Sequence, residues 1–385
     1  MDKKIVTAIL IALIVISAGT IVIFSEWLGE KDRDKTWASL SAVENDKVYI
    51  FTGQTDNIFT RPSPRIVYGV EIIAKIIHSD TFNVSIPYTL ADDYVDWVTP
   101  LSYNYTECDE PQNEQTSITI VDAENRTICL DAAPLRIVSC SPSITEIVYE
   151  IGLGDRLVAV TDYCNWPQDV TARKDNGTLA TIGGYITPSI ESIAEADSDI
   201  VLLDKGVQAQ MDMLSQLEDL DLKVVVLHKG LTFDEVYKNI KLVGTACGEG
   251  DRADGLVTVM KAKLDEIQET IGDDVDKPTL AFAVWLDPIY LGGNGTFAHE
   301  MMTRALGKNI YSDVAGWPEI GLESLLERDP EFLLISMMAL PASPDQIIQD
   351  LKEGSLSSSA SIMADNSSVI GLGTDLIVGM KDALV

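Results

Sequence analysis

From Ser117 onward the chain alternates short apolar runs with helical stretches, and that alternation leaves few folds open. Arg136-Ile-Val-Ser139, Leu157-Val-Ala-Val160, Ile200-Val-Leu-Leu203 and Val224-Val-Val-Leu227 have the length and composition of buried strands. Near-continuous apolar strands separated by helices imply a parallel sheet covered on both faces. A second α/β unit follows, with strands near Leu280–Trp285, Phe332–Ile335 and Val369–Gly371. The two units match internally. Ile190-Glu-Ser-Ile-Ala-Glu-Ala-Asp-Ser-Asp-Ile-Val-Leu-Leu203 aligns with Leu322-Glu-Ser-Leu-Leu-Glu-Arg-Asp-Pro-Glu-Phe-Leu-Leu-Ile335 at an offset of 132 residues. Each copy reads as a short amphipathic helix, an acidic turn and a buried strand. The offset is too long for a solenoid period and suits two lobes of similar build.

A helix joins them. Ala253, Leu256, Val257, Met260, Leu264, Ile267 and Ile271 form one apolar stripe, and Asp273, Asp274, Asp276 and Pro278 end it. About 21 residues at 1.5 Å each make a rod of roughly 30 Å. Gly255 inside it costs about 1 kcal/mol relative to Ala and is a candidate for close packing. Ser143-Ile-Thr-Glu146 and Thr232-Phe-Asp-Glu235 both fit a capping box, the second opening a helix that stops near Gly248.

The start of the chain sets the compartment. Ile5 to Phe24 is an uncharged, largely apolar run of 20 residues, the length of a bilayer-spanning helix. Lys3 and Lys4 precede it, which places the N-terminus in the cytoplasm and the bulk of the chain outside the cell, held by a single-pass anchor. A cleaved signal peptide is the other reading; no small-x-small site follows the run and no lipidation-type Cys lies near it. Asn-x-Ser/Thr triplets at Asn83, Asn104, Asn125, Asn176, Asn294 and Asn366 permit an outside location. Five cysteines leave at least one thiol unpaired within the chain; Cys108 and Cys129 are the favoured bridge, and no CxxC spacing supports zinc or a redox dithiol. With 60 acidic against 28 basic residues, the net charge of −32 argues against nucleic acid as a partner and disfavours strongly anionic ligands.

With these features in place, a family likeness becomes visible. Thr119-Ile-Val-Asp-Ala-Glu-Asn-Arg-Thr-Ile-Cys-Leu130, then Pro134-Leu-Arg-Ile-Val-Ser-Cys-Ser-Pro-Ser-Ile-Thr-Glu146, resembles the opening of the iron-chelate/cobalamin substrate-binding proteins of ABC transporters. The likeness runs through Gly152-Leu-Gly154, Val160-Thr-Asp-Tyr163, Pro167, Pro188-Ser-Ile-Glu191 and the strand at Ile200, and resumes from Gly316 to Ile335. It covers about residues 117 to 375. It implies an α/β helical-backbone periplasmic-binding-protein fold: two Rossmann-like lobes joined by a single long helix, with ligand in the cleft between them. One departure stands out. Residues 40 to 82, including Leu40-Ser-Ala-Val43, Lys47-Val-Tyr49 and Arg61-Pro-Ser-Pro-Arg-Ile-Val67, look like the family's C-terminal strand and helix yet precede the N-terminal lobe. Ser357 to Val385 resembles the same region and stops early. Either residues 40 to 82 complete the second lobe in permuted order, or they are the leftover tail of a tandem copy packing elsewhere. The expected divisions are 1–36, anchor and spacer; 37–115, this extension, with 91–115 a polar linker; 116–248, N-terminal lobe; 249–276, bridging helix; and 277–385, C-terminal lobe.

A corrinoid or iron chelate is large and partly flat, and needs aromatic and apolar walls with few polar contacts. Tyr163, Trp166, Tyr185, Trp285, Tyr290 and Trp317 fall where strands end and loops begin, which is where open α/β sheets bind ligands. The alternative for each is a core ring. The resemblance sets Tyr163, Tyr185, Trp285, Tyr290 and Trp317 near pocket-lining positions of cobalamin-binding members. Asp162 shares the loop of Tyr163 and either contacts ligand or caps the loop. Arg173, Lys174 and Lys205 are the nearest cations in sequence, so a corrinoid is preferred to an anionic siderophore; a ferric-siderophore or haem binder is the alternative within the family. Glu191 and Glu323 occupy one position of the internal repeat, in the first turn of a helix, where negative charge is favoured. In the family one surface Glu per lobe meets Arg residues of the permease, so the resemblance makes these two the docking points on a permease dimer and its ATPase.

Other features carry less. His78, His228 and His299 lack ligand spacing, so no metal site and no resident cofactor are expected. Gly292-Gly-Asn-Gly-Thr296 reads as a turn without the Lys of a phosphate loop. Ser139, Ser141 and Ser143 lack a nucleophile-elbow pattern, and the chain reads as a binder and not an enzyme. Readings of another class are a surface sensor or adhesin that kept the fold, and a metallocluster-related enzyme with Cys140 and Cys164 as its only candidate ligands.

Overall fold

The computed structural model describes residues 36–101, 103, 117–337 and 342–356. The apolar run Ile5–Phe24, Cys108, the strand expected at Val369–Gly371 and the segment Ser357–Val385 lie outside the described residues. Among the described residues no helix is long and apolar enough to cross a membrane.

One continuous stretch builds the first sheet. Its strands Ile137–Ser139, Leu157–Val160, Ala180–Thr181, Ile200–Asp204 and Val224–Leu227 are all parallel, in the spatial order 180, 157, 137, 200, 224. Val201, Leu203, Val224 and Val226 face one helix layer, and Leu202, Val225 and Leu227 the other. Burial on both faces is why these runs lack polar alternation. A hairpin, Ile118–Val121 with Thr127–Leu130, precedes the sheet.

The second sheet draws on both ends of the described chain. Strands Thr279–Leu286 and Phe332–Ser336 pair in parallel, and Val48–Phe51 lies parallel beside Phe332–Ser336 with Thr89–Leu90 beyond it. Ile289–Leu291 and Glu319–Ile320 add an antiparallel side, and Lys308–Asn309 pairs with the start of Thr279–Leu286. The segment from 40 to 82 is thus built into this sheet and is no remnant packed elsewhere. Val48↔Leu333, Ile50↔Ile335 and Phe51↔Ser336 are neighbours, and Ser336 donates to the buried Asp56 carboxylate at 2.6 Å. Part of the stretch read as a linker is anchored to the fold. Tyr94 is only 2% exposed, and the Glu71 carboxylate accepts the Thr99 amide at 3.1 Å.

The internal repeat has the form its sequence implies. Helix Ile190–Glu195 leads into Ile200–Asp204, and helix Leu322–Arg328 into Phe332–Ser336, each strand interior to its sheet. The matching Asp197 and Asp329 both adopt left-handed φ, 48° and 41°, at the turn between helix and strand. Asp tolerates this conformation better than most residues, which accounts for the acidic turn in both copies.

The long helix spans Gly250–Ile271, 22 residues, and every residue of the apolar stripe is buried. It packs on helix Phe233–Ala246 of the first unit and on helix Ile66–Ile77 beside the second sheet. Lys263 sits within the stripe and pairs with Glu71 at 3.0 Å, so its charge is matched where it is buried. Gly255 leaves room for Tyr103: a Cβ there would stand 2.6 Å from the hydroxyl, which donates to Arg252 O.

One cap falls differently from expectation. Helix Pro142–Glu150 starts two residues earlier than that capping box requires, with Ser141 at its cap and Pro142 in the first turn, so Ser143-Ile-Thr-Glu146 is no capping box. At Thr232 the cap is present: its hydroxyl accepts the Glu235 amide at 3.2 Å, and Glu235 accepts the Leu231 amide.

Candidate functional site

In the first sheet the chain order reverses between Ile137–Ser139 and Ile200–Asp204, so the loops leaving those strands diverge at their carboxyl ends, the place where open α/β sheets bind ligands. Asp204 closes its strand there. It accepts Tyr185 OH at 3.1 Å, Ser141 Oγ at 3.3 Å and Gly206 N at 2.8 Å. Burial pushes its carboxyl up to about 6 in spite of those donors. Gln210, also buried, accepts the Asp204 amide and donates to Cys140 O at 2.7 Å and Tyr185 O at 2.9 Å. Tyr185 is thereby pinned at hydroxyl and carbonyl.

The next loop, 161–167, carries three expected site residues. Asp162 is exposed and holds the loop through its backbone: its amide reaches Gly183 O at 2.9 Å and its carbonyl accepts Lys174 Nζ at 2.8 Å. Tyr163 is half-buried, its ring 3.6 Å from where a Cβ on Gly184 would stand. Trp166 is half-buried, and the Arg65 guanidinium lies 4.5 Å from its ring centroid, so that face is taken. Cys164 is buried, its sulfur 3.2 Å from each of the Thr145 and Thr161 hydroxyls.

In the second unit, Trp285 and Tyr290 face each other across the strand pair Thr279–Leu286 and Ile289–Leu291. Trp285 is only 9% exposed and donates Nε1–H to Asp287 O, which makes it largely a packing ring. Tyr290 donates to Glu319 at 3.2 Å. Trp317 lies against Gly292, where a Cβ would come within 3.3 Å of the indole; at Gly293 a Cβ would collide with Val314 O. Those contacts favour glycine at 292 and 293, and a φ of +76° favours it at 295. Thr296 caps helix Phe297–Arg304 by accepting the His299 amide at 3.1 Å.

The two units meet at residues that the sequence pattern did not single out as functional. Arg61, Pro62 and Arg65 reach from the second unit into the first. Arg65 grips Glu146 through Nε (2.9 Å) and Nη2 (2.6 Å), and Arg61 reaches the same carboxylate at 3.2 Å. Arg65 and Glu146 are fully buried and Arg61 is 9% exposed. Burial alone would raise the Glu146 carboxyl, yet Arg65 and then Arg61 hold it below its ordinary value. Nearby, Phe233 stacks on Phe297 at 5.9 Å, and its amide donates to Glu300 at 2.7 Å. Besides Arg173, Lys174 and Lys205, the nearest cations in sequence, the structure brings Arg61 and Arg65 to the 161–167 loop, because chain distance is a poor guide in a permuted order; Lys174 also reaches that loop at Asp162 O. Arg173 is spent on Gly154 O and Leu157 O, and Lys205 on Ala123 O and Glu124.

Glu191 and Glu323 are both exposed in the first turns of their helices, Glu191 accepting Ser189 Oγ at 3.1 Å. Among the described residues no group of three His, Cys, Asp or Glu is placed to hold a metal ion. His78 bonds Ala305 O and His299 bonds Asn309. Cys129 is a free, exposed thiol, its expected partner outside the described residues. A surface cavity of about 480 Å³, lined by Tyr49, Lys75, Ser79, Asp80 and Ile86, includes none of the expected ring residues.

Comparison with known proteins covers most of these elements. The family model described as periplasmic binding protein matches residues 137–355, and thus leaves out the strand Val48–Phe51. The chain is 33% identical over 228 residues to the uncharacterized ABC transporter substrate-binding lipoprotein YvrC of Bacillus subtilis, covering 58% of this chain and 70% of that protein. It is 27% identical over 209 residues to a vitamin B12-binding protein of Photorhabdus laumondii, covering 54% and 72%. Among solved structures it resembles a possible iron-binding (periplasmic solute-binding) protein of Staphylococcus epidermidis, with 26% identity, 65% of this chain and 97% of that chain covered, and a TM-score of 0.51.

Proposed function

The chain belongs to the periplasmic binding protein family, and on that premise we propose that it is the substrate-binding component of an ABC importer for a corrinoid, haem or other iron chelate. The two sheet units serve as lobes, the Gly250–Ile271 helix as the stiff brace between them, and ligand sits between the loops at their carboxyl ends. The observation that carries this reading is the point where the first sheet reverses order, with Tyr185 held on Asp204 at the end of its strand. The relative named for vitamin B12 binding favours a corrinoid among these cargoes.

Tyr163, Tyr185, Tyr290 and Trp317, each half-buried, form the wall, Asp162 stands at its rim, and Trp166 and Trp285 back it from behind. Two carboxylates at one position of a repeated unit, Glu191 and Glu323, give a matched pair of contacts for a symmetric permease dimer coupled to its ATPase. The cargo brings its own metal, so the chain needs no resident cofactor and performs no chemistry on it. Ile5–Phe24 tethers the chain to the outer face of the cell membrane.

Titration of the chain from residue 36 with cobinamide, cobalamin, haem and ferric siderophores, read by tryptophan quenching, tests the proposal. Micromolar or tighter binding to one of them is expected, weakened about tenfold by Trp317→Ala as a buried aromatic contact is lost. Absence of saturable quenching by all of them would sink it. Glu191→Lys with Glu323→Lys should abolish uptake by cells and leave the titration unchanged.

A further inference from the structure

The loop 161–167 belongs to the first unit, yet one of its main anchors comes from the second. Arg61 Nη1 donates to Asn165 Oδ1 at 2.8 Å and Nη2 to Tyr163 O at 3.4 Å, while Nη1 also reaches Glu146 at 3.2 Å. Arg61 therefore ties the backbone beneath Tyr163 and the side chain two residues on to a carboxylate buried in helix Pro142–Glu150. The reach is rigid. Pro62 and Pro64 flank Ser63, which fixes two of the three intervening φ angles. Pro62 abuts Gly230, whose φ is +73° and where a Cβ would stand 2.5 Å from the proline ring. Arg65 supports the tip from behind, with its fork on Glu146 and its face on Trp166.

We infer that Arg61 is a positioning residue: held by Glu146 and the Arg61–Arg65 tip, it sets the 161–167 loop of one unit from the other, so the shape of one ligand wall depends on how the two units are placed. This rests on the proposed function in taking that loop as a wall. The consequence is a coupling. Separating the units pulls the tip from its socket and releases Tyr163, so a loose wall accompanies parted units and a set wall accompanies joined ones. Separation also strips the buried Glu146 of both partners, which opposes it.

Arg61→Gln tests the inference without emptying the socket, because the Arg65–Glu146 pair stays in place and the chain keeps its fold. Amide hydrogen exchange on the ligand-free chain is the primary readout. The Asp162 and Cys164 amides, bonded to Gly183 O and Thr161 O, should exchange about tenfold faster, while those of strand Ile200–Asp204 stay unchanged. Arg61→Lys, which keeps the charge and loses the fork, should fall between the two. Cobinamide affinity of Arg61→Gln should drop about tenfold, the scale of one lost positioning bond to a charged group. Unchanged exchange at Asp162 and Cys164 would overturn the inference, as would equal acceleration across Ile200–Asp204, the mark of a merely structural role. A loosened loop with unaltered affinity would also overturn it. If the unaltered chain binds none of the cargoes, the functional proposal falls, and the exchange comparison still decides whether Arg61 holds the loop.

Discussion

The first sheet uses a single run of chain, residues 137 to 227, and its strands are uniformly parallel. The second takes strands from 48–51 and 89–90, inserts them beside 332–336, and adds antiparallel strands at the far side. Both place a strand of the internal repeat in the sheet interior, and both bury it on two faces. The difference teaches that one architecture tolerates two chain orders: what the sheet requires is a buried β-branched or aromatic strand in the slot, whichever end of the chain supplies it.

The comparison breaks most easily at the inserted strand. Ile50→Asp places an unpaired carboxylate in the second sheet and should cost about 4 kcal/mol or more. Hydrogen exchange should then show protection lost along 279–286 and 332–336 and kept along 200–204. Equal loss in both sheets would mean that the two units unfold as one.

Acid should affect both units in the same direction. Burial pushes the carboxyls of Asp56 in the second unit and Glu150 in the first up to about 7, and that of Asp204 to about 6. A carboxyl raised on folding is held protonated more firmly by the folded chain. Its contribution is full below the unfolded value near 4 and disappears as pH rises through 6 to 7. Melting temperature should therefore be higher at pH 5.5 than at pH 8, and Asp56→Asn should remove on the order of 2 kcal/mol of that difference. Glu146, held low by Arg65 and Arg61, acts oppositely, but only below its unfolded value near 4.5.

The smallest effect separates the two repeat turns. Asp197 and Asp329 share left-handed φ, but Asp329 also accepts the Ser41 amide and hydroxyl at 2.7 and 2.6 Å, whereas Asp197 has only a 3.9 Å approach to Arg136 at the surface. Asp197→Gly should be neutral or slightly stabilising in chemical denaturation, and Asp329→Gly destabilising by about 1 kcal/mol, the difference being the bonds to Ser41.

Sequence alone disclosed what is local. The apolar runs of the first sheet, the stripe from Ala253 to Ile271 and the paired helix–turn–strand units each carry their periodicity within a few turns of chain. It also marked residues 40 to 82 as displaced, but could not choose their destination, because Val48–Phe51 fits any buried slot. The Arg61–Glu146 and Arg65–Glu146 pairs were missed for a related reason: partners 85 and 81 residues apart leave no spacing to detect. Glu146 was instead assigned to a cap, since Ser-x-x-Glu is satisfied equally by a helix beginning at Pro142. Trp285 looked like a wall ring because it ends a strand, and only its indole bond to Asp287 O shows how far it is turned inward.

The order of the chain also sets a clock. Asp56 and Ser336 lie 280 residues apart, so at ribosomal rates of about 5–20 residues per second the first waits roughly 15 to 60 s for the second. During that interval Val48–Phe51 can pair with Thr89–Leu90 on one edge, while its other edge lacks the strand that fills it in the finished sheet. A chain built this way gains from a temporary escort until Phe332–Ser336 is made.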